Sequence, residues 1–211
     1  MKRTVKGTLT AVVIIIVAAA MLICSTVLII ISGNNLKTGK KNEIQINADK
    51  FASSINSWIE KEKGLNIAGA ASLAALTDES YNVSNIQSIV TTESSGRSEL
   101  LNLYYGTESK LFVQTDPNAV PPEGYDPTAR GWYKAAKAAG GTIVTDPYMD
   151  VLIGGMCITI ASPVYRNGQL EGVLGADFTL DYINGVINAI PYEDGEYGFL
   201  VDASGNYVIH E

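Results

Sequence analysis

The stretch MCITIASPVYRNGQLEGVLGAD, residues 156–177, decides the fold of this chain. It contains two apolar runs, 156–164 and 170–177, which are joined by Tyr-Arg-Asn-Gly-Gln at 165–169. An Asn-Gly pair between two such runs is a strong signal for a β-hairpin, because the tight turn requires positive φ at both central residues. The sequence therefore predicts two antiparallel strands here.

Shorter strand signals lie before this hairpin. Residues 100–105 and 110–114 alternate well enough to form a second hairpin about a turn at 106–109, and residues 142–145 are a further candidate strand. Strands of this kind pair into an antiparallel sheet, and helices attached to such a sheet define the α+β class. We therefore predict an α+β unit over about residues 80–180.

Helix signals separate and follow these strands. Asp126-Pro127 has the residue types of an N-cap and a first helical position, and Gly140-Gly141 would end this helix after Ala139. A short helix is predicted near residues 86–90 and a last one over residues 180–190. The tail, residues 197–210, indicates strand, turn and strand, so we expect a second and incomplete module to begin at about residue 191.

The N-terminal part carries an uncharged run, LTAVVIIIVAAAMLICSTVLIIIS, over residues 9–32. A helix of roughly 20 such residues crosses a bilayer core. A cleaved signal peptide is the alternative, since Lys2, Arg3 and Lys6 would form its basic start. Its apolar core is usually about 7–15 residues, and no small-x-small cleavage pattern closes this run. We therefore expect an uncleaved transmembrane helix.

The charges help to orient this span. Basic residues flank it on both sides, so the excess of positive charge alone does not decide which side is cytoplasmic. All 22 Asp and Glu follow the span, together with all but three of the 15 Lys and Arg. A long acidic segment fits a domain outside the cytoplasm, and its negative charge argues against nucleic acid as a partner.

Residues 33–78 predict one long helix after the span. Their apolar positions recur largely at spacings of three and four, as on one face of a helix. This helix is either a mechanical link to the membrane, a core helix of the domain, or both, and such helices often dimerise along the apolar stripe. The stripe comprises Ile44, Ala48, Phe51, Ile55, Trp58, Leu65, Ala68, Ser72 and Leu76.

Cysteine and histidine exclude several kinds of site. Cys24 lies in the span, Cys157 is the one cysteine beyond it, and His210 is the single histidine. No disulfide can form within the outer domain, and no cysteine–histidine metal site or catalytic dyad is indicated. We expect no metal or cofactor, and we expect Cys157 to be a small buried hydrophobic residue.

Seven residues are candidates for a ligand-binding site. Arg130 offers a rigid fork that pairs with a carboxylate, and aspartates from other segments accept hydrogen bonds from an ammonium group. Facing one cavity, these charges would match a zwitterion. The alternative is that Arg130 and one aspartate neutralise each other as an internal ion pair. The candidates are Tyr125, Arg130, Trp132, Tyr133, Tyr148, Asp150 and Asp177.

The segment YDPTARGWY, residues 125–133, resembles the double Cache sensor domains of bacterial chemoreceptors. DPYMD at 146–150 and GAD at 175–177 fall where amino-acid-sensing members of that family keep a Tyr, an Asp and a final Asp. The resemblance implies a cytoplasmic start at 1–8, a transmembrane helix at 9–32 and a long extracytoplasmic helix at 33–78. A PAS-like, membrane-distal module at 79–190 and the start of a membrane-proximal module at 191–211 would follow.

The resemblance also implies a role for each candidate. The ligand carboxylate would be held by Arg130, Trp132 and Tyr148. The ligand amino group would be held by Tyr125, Asp150 and Asp177, and Tyr133 would line the pocket. The implied protein is a membrane receptor for free amino acids, with chemotaxis as its output and a homodimer through the long helix as its state.

Other functions remain open from the residues alone. The same pocket would serve the sensor of a histidine kinase or of a cyclic-dinucleotide enzyme. A membrane-tethered surface hydrolase would use Asp150 and Asp177 as acid and base, but no Ser, Cys or His constellation supplies a nucleophile. A structural anchor or adhesin would make the seven residues core packing. The motif reads groups common to all amino acids and so does not choose among them.

Overall fold

The computed structural model describes residues 5–152, 154–189, 197–201 and 205–210, and the chain divides into two compact units, Met1–Lys50 and Phe51–Glu211. Helix α1, Val5–Ala74, supplies residues to both. Among the described residues, this is the one helix long and apolar enough to cross a membrane, and none of its apolar window is buried. The predicted apolar span and long helix are therefore one α-helix.

The second unit is built around a six-stranded antiparallel sheet. Its strand order is β2-β1-β6-β5-β3, and β4 also pairs with β5. The strands of this sheet are β1 (Leu100–Thr107), β2 (Phe112–Gln114), β3 (Ile143–Val144), β4 (Tyr148–Met149), β5 (Met156–Arg166) and β6 (Gln169–Thr179). The helices of this unit besides α1 are α2 (Val83–Ser94), α3 (Gly131–Ala139) and α4 (Asp181–Asn188). The α+β class is confirmed.

The central hairpin is β5 with β6. The strands pair from Cys157↔Thr179 to Arg166↔Gln169, and the turn residues Asn167 and Gly168 have φ values of 50° and 79°. Positive φ at both positions is what a two-residue type I′ turn requires, because its twist matches that of the strands. The sequence prediction for residues 156–177 is confirmed, and both strands run a little further than predicted.

Alternation along the strands divides the core between two faces of the sheet. Successive side chains of a strand point to opposite faces. On the back face, Leu103, Tyr105, Ile160, Leu174 and Phe178 join side chains of α1, α2 and α4 in one apolar cluster. On the front face, a smaller cluster is formed by Tyr104, Trp132, Tyr133, Ala136, Ala161 and Val173. Helix α3 supplies three of its six members.

The buried face of α1 differs from the predicted stripe. Trp58 is buried as expected, but Ala68 is exposed, while Glu62, Asn66 and Leu73 are fully buried. The prediction followed apolar residues only, so it drifted off the buried face after Trp58. The physical reason is that two polar side chains occupy buried positions and are compensated there by partners on other elements.

Those partners tie α1 to the rest of the unit. Asn66 Nδ2 donates to the carbonyl oxygens of Ile160 and Leu174, at 3.1 Å each, and to Ser162 Oγ at 3.0 Å. Glu62 Oε2 accepts two hydrogen bonds from Arg97, from Nε at 3.0 Å and from one terminal nitrogen at 2.8 Å. One helix thus contacts both central strands and the loop before β1 through polar atoms.

The structure also bears on the predicted helix at 127–139, on residues 146–150 and on the tail. The predicted helix at 127–139 is interrupted: Pro127–Ala129 is a 3-10 turn, Arg130 is extended, and α3 follows until Gly140, whose φ is 63°. Residues 146–150 contain strand β4, which was not predicted. In the tail, β7 (Leu200–Val201) pairs with β8 (Tyr207–Ile209), as expected, while part of the predicted turn and Ile190 lie outside the described residues.

The pair Glu62–Arg97 yields a stability prediction. Arg97→Ala leaves a carboxylate that is 1% exposed without its guanidinium partner, and such a loss costs about 3–5 kcal/mol. We expect the melting temperature to fall by roughly 6–20 °C. Tryptophan fluorescence during heating of the chain in detergent measures this, since both Trp58 and Trp132 are buried in this unit.

Lys61→Ala is the matched control. Lys61 contacts the same carboxylate at 3.1 Å, but its side chain is 61% exposed, so its removal should change stability by less than about 1 kcal/mol. Equal shifts for the two variants would contradict the view that burial makes the Arg97 pair the stronger one.

Candidate ligand-binding site

The centre of the candidate site is the carboxylate of Asp177 on the front face of β6. It is 1% exposed, and its Oδ1 accepts hydrogen bonds from Tyr104 Oη and Thr159 Oγ1, each at 2.6 Å. No group of the described residues donates to its Oδ2. Thr159 lies opposite Asp177 in the β5–β6 register, so neighbouring strands build this arrangement.

A glycine makes room for Tyr104. Gly175 lies opposite Tyr104 in the β1–β6 register, and a Cβ added to it would lie 2.3 Å from Tyr104 Cε2. Any side chain at Gly175 would therefore displace the ring whose hydroxyl reaches Asp177. The glycine is required here by the close approach of an aromatic ring rather than by its own φ.

Burial raises the pKa of Asp177 to about 7. The hydrogen bonds from Thr159 and Tyr104 oppose this rise in pKa, and the negative charge of Asp150 adds to it. A carboxyl group with this pKa changes its charge near neutral pH. A cation held beside Oδ2 would favour the ionised form, because an opposite charge lowers the pKa of a carboxyl group.

Tyr148 and Asp150 come from β4 and the residues after it. Tyr148 Oη lies 2.7 Å from Thr159 Oγ1, and because Thr159 donates to Asp177, Tyr148 acts as the donor to Thr159. Asp150 is 2% exposed, and its Oδ1 accepts a hydrogen bond from the backbone N–H of Leu152 at 2.8 Å. β4 therefore brings a second buried carboxylate to the neighbourhood of Asp177.

Arg130 lies between the 3-10 turn and α3. Its guanidinium carbon lies 5.8 Å from the centre of the Tyr125 ring, and its Nε is buried without a hydrogen-bond partner. None of the ion pairs formed by the described residues involves Arg130, so the alternative of an internal neutralising pair with aspartate is not supported. Buried donors are nearly always paired, so this Nε is an exception.

The Tyr125 hydroxyl feels the charges of Arg130 and of both carboxylates. Burial raises the pKa of its hydroxyl to about 12; the positive charge of Arg130 opposes this rise in pKa, and the negative charges of Asp150 and Asp177 add to it. Such influences require the three charged groups to lie close to one phenol. The structure thus brings together residues that are up to 52 positions apart in the sequence.

Aromatic rings line the space between these groups. Trp132 packs against Tyr104 at 4.9 Å between ring centres and against Tyr133 at 5.5 Å, and Phe112 packs against Tyr125 at 4.9 Å. Rings of this kind exclude water and strengthen nearby electrostatic interactions. Trp132 is 2% exposed and so is part of the floor of the site.

Tyr133 differs from the other candidates. Its ring belongs to the same aromatic cluster, but its hydroxyl donates to Glu108 Oε1 at 2.8 Å, and Lys137 Nζ contacts both oxygens of Glu108 at 2.8 Å. The hydrogen bond from Lys137 lowers the pKa of Glu108. The hydroxyl of Tyr133 is thus engaged away from Asp177, and only its ring is placed to line the site.

Sequence reasoning missed Tyr104, Thr159 and Phe112. Tyr104 and Thr159 were assigned to strands without a role, although each is the polar residue that shares a face with Asp177. Their proximity to Asp177 follows only from the strand register. Asn102 and Thr159 are directly opposite Asp177, and Tyr104 is two residues from Asn102 on the same strand. A single sequence does not give that register.

The arrangement suits binding rather than bond cleavage. It combines a half-buried arginine with a buried Nε, two buried carboxylates and aromatic walls, while Cys157 is fully buried and burial raises the pKa of its thiol to about 12. No group of His, Cys, Asp and Glu within the described parts of the chain could hold a metal ion.

Comparison with known proteins identifies the family of the chain. The family model for the methyl-accepting chemotaxis protein-like first PDC sensor domain matches residues 72–185. The methyl-accepting chemotaxis protein PscA of Pseudomonas syringae pv. tomato is 34% identical over 175 residues, 83% of this chain and 27% of that protein. McpA of Pseudomonas putida is 44% identical over 108 residues, 50% of this chain and 16% of that protein. The chain thus spans about a quarter or less of these relatives.

Solved structures of ligand-binding domains are similar as well. The domain of the Pseudomonas aeruginosa amino acid chemoreceptor PctC in complex with GABA has a TM-score of 0.71 and 32% identity, covering 80% of this chain and 75% of that one. The domain of PctB from the same organism, in complex with L-Arg, has a TM-score of 0.63 and 31% identity, covering 73% and 63%.

A third structure, the domain of Pseudomonas fluorescens CtaA with L-alanine, has a TM-score of 0.69 and 27% identity, covering 80% of this chain and 71% of that one. The resemblance to chemoreceptor sensor domains expected from residues 125–177 is confirmed. Because the matching family model covers more than half of the 211 residues, the chain belongs to the methyl-accepting chemotaxis protein-like family and contains its first PDC sensor domain.

Proposed function

We propose that this chain is the sensor region of a chemotaxis receptor and that its front-face site binds free amino acids by their α-carboxylate and α-ammonium groups. The observation that carries the proposal is the buried Nε of Arg130, which has no partner although two buried carboxylates influence the same tyrosine. A zwitterion supplies a carboxylate to Arg130 and an ammonium group to the side of Asp177. Relatives named as chemoreceptors and neighbours solved with amino acids support it.

The proposed contacts follow the charges. Arg130 and Trp132 bind the ligand carboxylate, and Asp150 and Asp177 bind the ammonium, with Tyr125 between the two groups. Tyr148 is also assigned to the carboxylate, although its hydroxyl contacts Thr159, so a ligand carboxylate must compete for that donor. Tyr133 contributes its ring to the wall of the site.

The rest of the receptor is part of the same proposal. Residues 9–32 span the membrane and residues 1–8 are cytoplasmic, while the long helix to residue 78 and the module at 79–190 lie outside the cytoplasm; residues 191–211 begin a second module. The long acidic segment after the span supports this orientation. The buried and inert thiol and the unpaired guanidinium favour a sensor over a hydrolase, and chemotaxis is favoured over other outputs by the relatives.

Removal of the Arg130 guanidinium tests the site. Arg130→Ala should weaken amino-acid binding at least ~30-fold, because truncating one partner of a buried charge pair costs about 2–5 kcal/mol. Arg130→Lys should restore only part of the affinity, since an ammonium lacks the planar fork. Calorimetric titration of the chain in detergent with a panel of amino acids measures these affinities.

The controls separate binding from folding. Lys134→Ala removes an exposed charge from α3 and should leave both affinity and melting temperature unchanged. The methyl ester and the N-acetyl derivative of the best ligand should each bind at least ~30-fold more weakly than the parent amino acid. Full affinity of either derivative, or of Arg130→Ala, would refute recognition of a zwitterion.

The pKa of Asp177 predicts how binding depends on pH. The ligand ammonium pairs with the ionised carboxylate, so affinity should be constant above about pH 8 and fall as pH decreases through 7, by up to tenfold per unit. Calorimetric titrations between pH 5.5 and 8.5 measure the slope. Asp177→Asn should bind weakly with no such slope, and an unchanged slope in this variant would assign the titration to another group.

The same group affects the stability of the ligand-free protein in the opposite direction. Burial raises the pKa of Asp177 above the usual carboxyl value, so its ionisation opposes folding: the associated stability is present below about pH 4 and is lost as pH rises through 7. The melting temperature should therefore decrease from pH 5.5 to 8.5. Asp177→Asn should reduce that decrease, and an equal decrease in both proteins would contradict this account.

We also propose a homodimer through the long helix. Ile44 lies on the predicted apolar stripe and is 56% exposed, whereas Asn42 lies two residues away, nearly on the opposite side of the helix. In a Cys24→Ser background, Ile44→Cys should form disulfide-linked dimers when membranes are oxidised. Asn42→Cys is the matched control, and equal cross-linking of both positions would argue against a defined helix interface.

A further inference from the structure

A groove of about 410 Å³ adjoins the candidate site. It is formed at one end of the sheet by the strand pair β1–β2, the segment after β2 and the segment after β4. The lining residues that matter here are Asn102, Gln114, Asp116, Pro122, Val151 and Leu152. A cavity of this size accommodates a small-molecule group.

Three structural links join the groove to the site: chain continuity, a strand pairing and a hydrogen bond. Val151 and Leu152 directly follow Asp150, whose carboxylate accepts the Leu152 N–H. Asn102 lies opposite Asp177 in the β1–β6 register, on the same face of the sheet. The carbonyl of Pro122 accepts a hydrogen bond from the Tyr125 N–H at 3.0 Å. The groove therefore begins where the α-groups of a bound amino acid would lie.

The polar atoms of the groove include acceptors without a partner. Asn102 Nδ2 donates to Gln114 Oε1 at 3.0 Å, and Gln114 Nε2 donates to the Ala119 carbonyl at 2.7 Å, so each amide nitrogen already uses one of its two N–H groups. No hydrogen bond among the described residues reaches Asn102 Oδ1. Asp116 is exposed and accepts the Asn118 N–H with Oδ1 at 2.8 Å.

The charge of the groove has one sign. Asp116 contributes a carboxylate, and neither Lys, Arg nor His is among the lining residues. A ligand carboxylate placed there would meet acceptors and a like charge, whereas a carboxamide or a cationic group would find acceptors for its N–H groups. A site discriminates strongly when the wrong ligand leaves polar groups unpaired.

We infer that this groove receives the side chain of the bound amino acid and selects side chains that donate hydrogen bonds, carboxamides and cations, over carboxylates. The inference rests on the proposed function, since it concerns the same ligand. The apolar rim from Val151 and Leu152 accommodates the aliphatic part of such a side chain, and the Asn102 oxygen and the Asp116 carboxylate accept hydrogen bonds from its end.

Four amino acids of similar length test the inference: glutamine, glutamate, methionine and lysine. They are titrated calorimetrically at pH 8, where Asp177 is ionised, into the chain in detergent. Glutamine and lysine should bind at least ~10-fold more tightly than glutamate, and glutamine several-fold more tightly than methionine. Equal affinity for glutamine and glutamate would overturn the inference while leaving amino-acid binding itself intact.

Variants of the groove assign the selectivity to residues. Asp116→Lys should shift the glutamine-to-glutamate ratio by at least ~10-fold toward glutamate. Asp116→Asn keeps the acceptor for the Asn118 N–H and removes only the charge, so it should shift the ratio in the same direction by less. Asn102→Leu removes the acceptor at similar volume and should abolish the preference for glutamine over methionine.

The outcomes distinguish a failure of side-chain selection from a failure of amino-acid binding. Amino-acid binding with ratios that none of the three variants changes would show that side chains are read elsewhere. Failure of all amino acids to bind the parent chain would overturn the proposed function as well. Melting temperatures within a few degrees of the parent show that a variant is folded, and Asp116 and Asn102 act on different ratios, so either residue alone can refute the inference.

Discussion

The two central strands of the sheet are covered on both faces, and the site and the core both depend on this constraint. In β5 and β6, side chains on one face are packed by α1 and those on the other by α3. Alternation assigns every residue to one of these environments. Thr159 and Asp177 therefore lie on the front face, while their neighbours Ile160 and Phe178 lie on the back face against α1. A shift of either strand by one residue would move each side chain to the other face.

Charge left unpaired during folding is what gives the front face its chemistry. Glu62 on the back face is matched by Arg97, so that pair serves the fold. On the front face, Arg130 has an orphan donor and Asp177 is held by hydroxyl groups rather than by a cation. Desolvated groups in this condition raise the free energy of the site, and the proposed ligand would lower it by pairing them. In this proposal, binding is coupled to the ionisation of the protein.

The sequence predicted the elements that local signals specify. Three such features depend only on neighbours in sequence and could therefore be predicted. They are the Asn167-Gly168 turn, the αL residue Gly140 and the N-cap role of Asp126. Arg130 marks the limit of such signals, since the break there separates a 3-10 turn from α3 where a continuous helix was expected. Strand β4, two residues long, was too short to carry a pattern.

Non-local compensation accounts for the remaining errors. Glu62 and Asn66 are buried because Arg97 and strand carbonyls lie opposite them, and a hydropathy pattern treats both as surface residues. Tyr104 and Thr159 matter because the register puts them beside Asp177. The residue types and the resemblance together indicated the seven candidates and their roles, but not the hydroxyl groups that support them or the engagement of Tyr133 by Glu108.

The division of labour around Asp177 has a consequence for how such receptors diversify. Asp177, the carboxylate proposed to meet the α-ammonium group, is embedded in the packed sheet, where Gly175 must stay small for Tyr104 to reach it. The adjoining groove is walled largely by the segments after β2 and β4, whose residues are mostly exposed or half-buried. Exposed segments tolerate substitution far better than a core. Substitutions in these segments can thus change which side chains the groove accepts without disturbing the carboxylate at the centre of the proposed site.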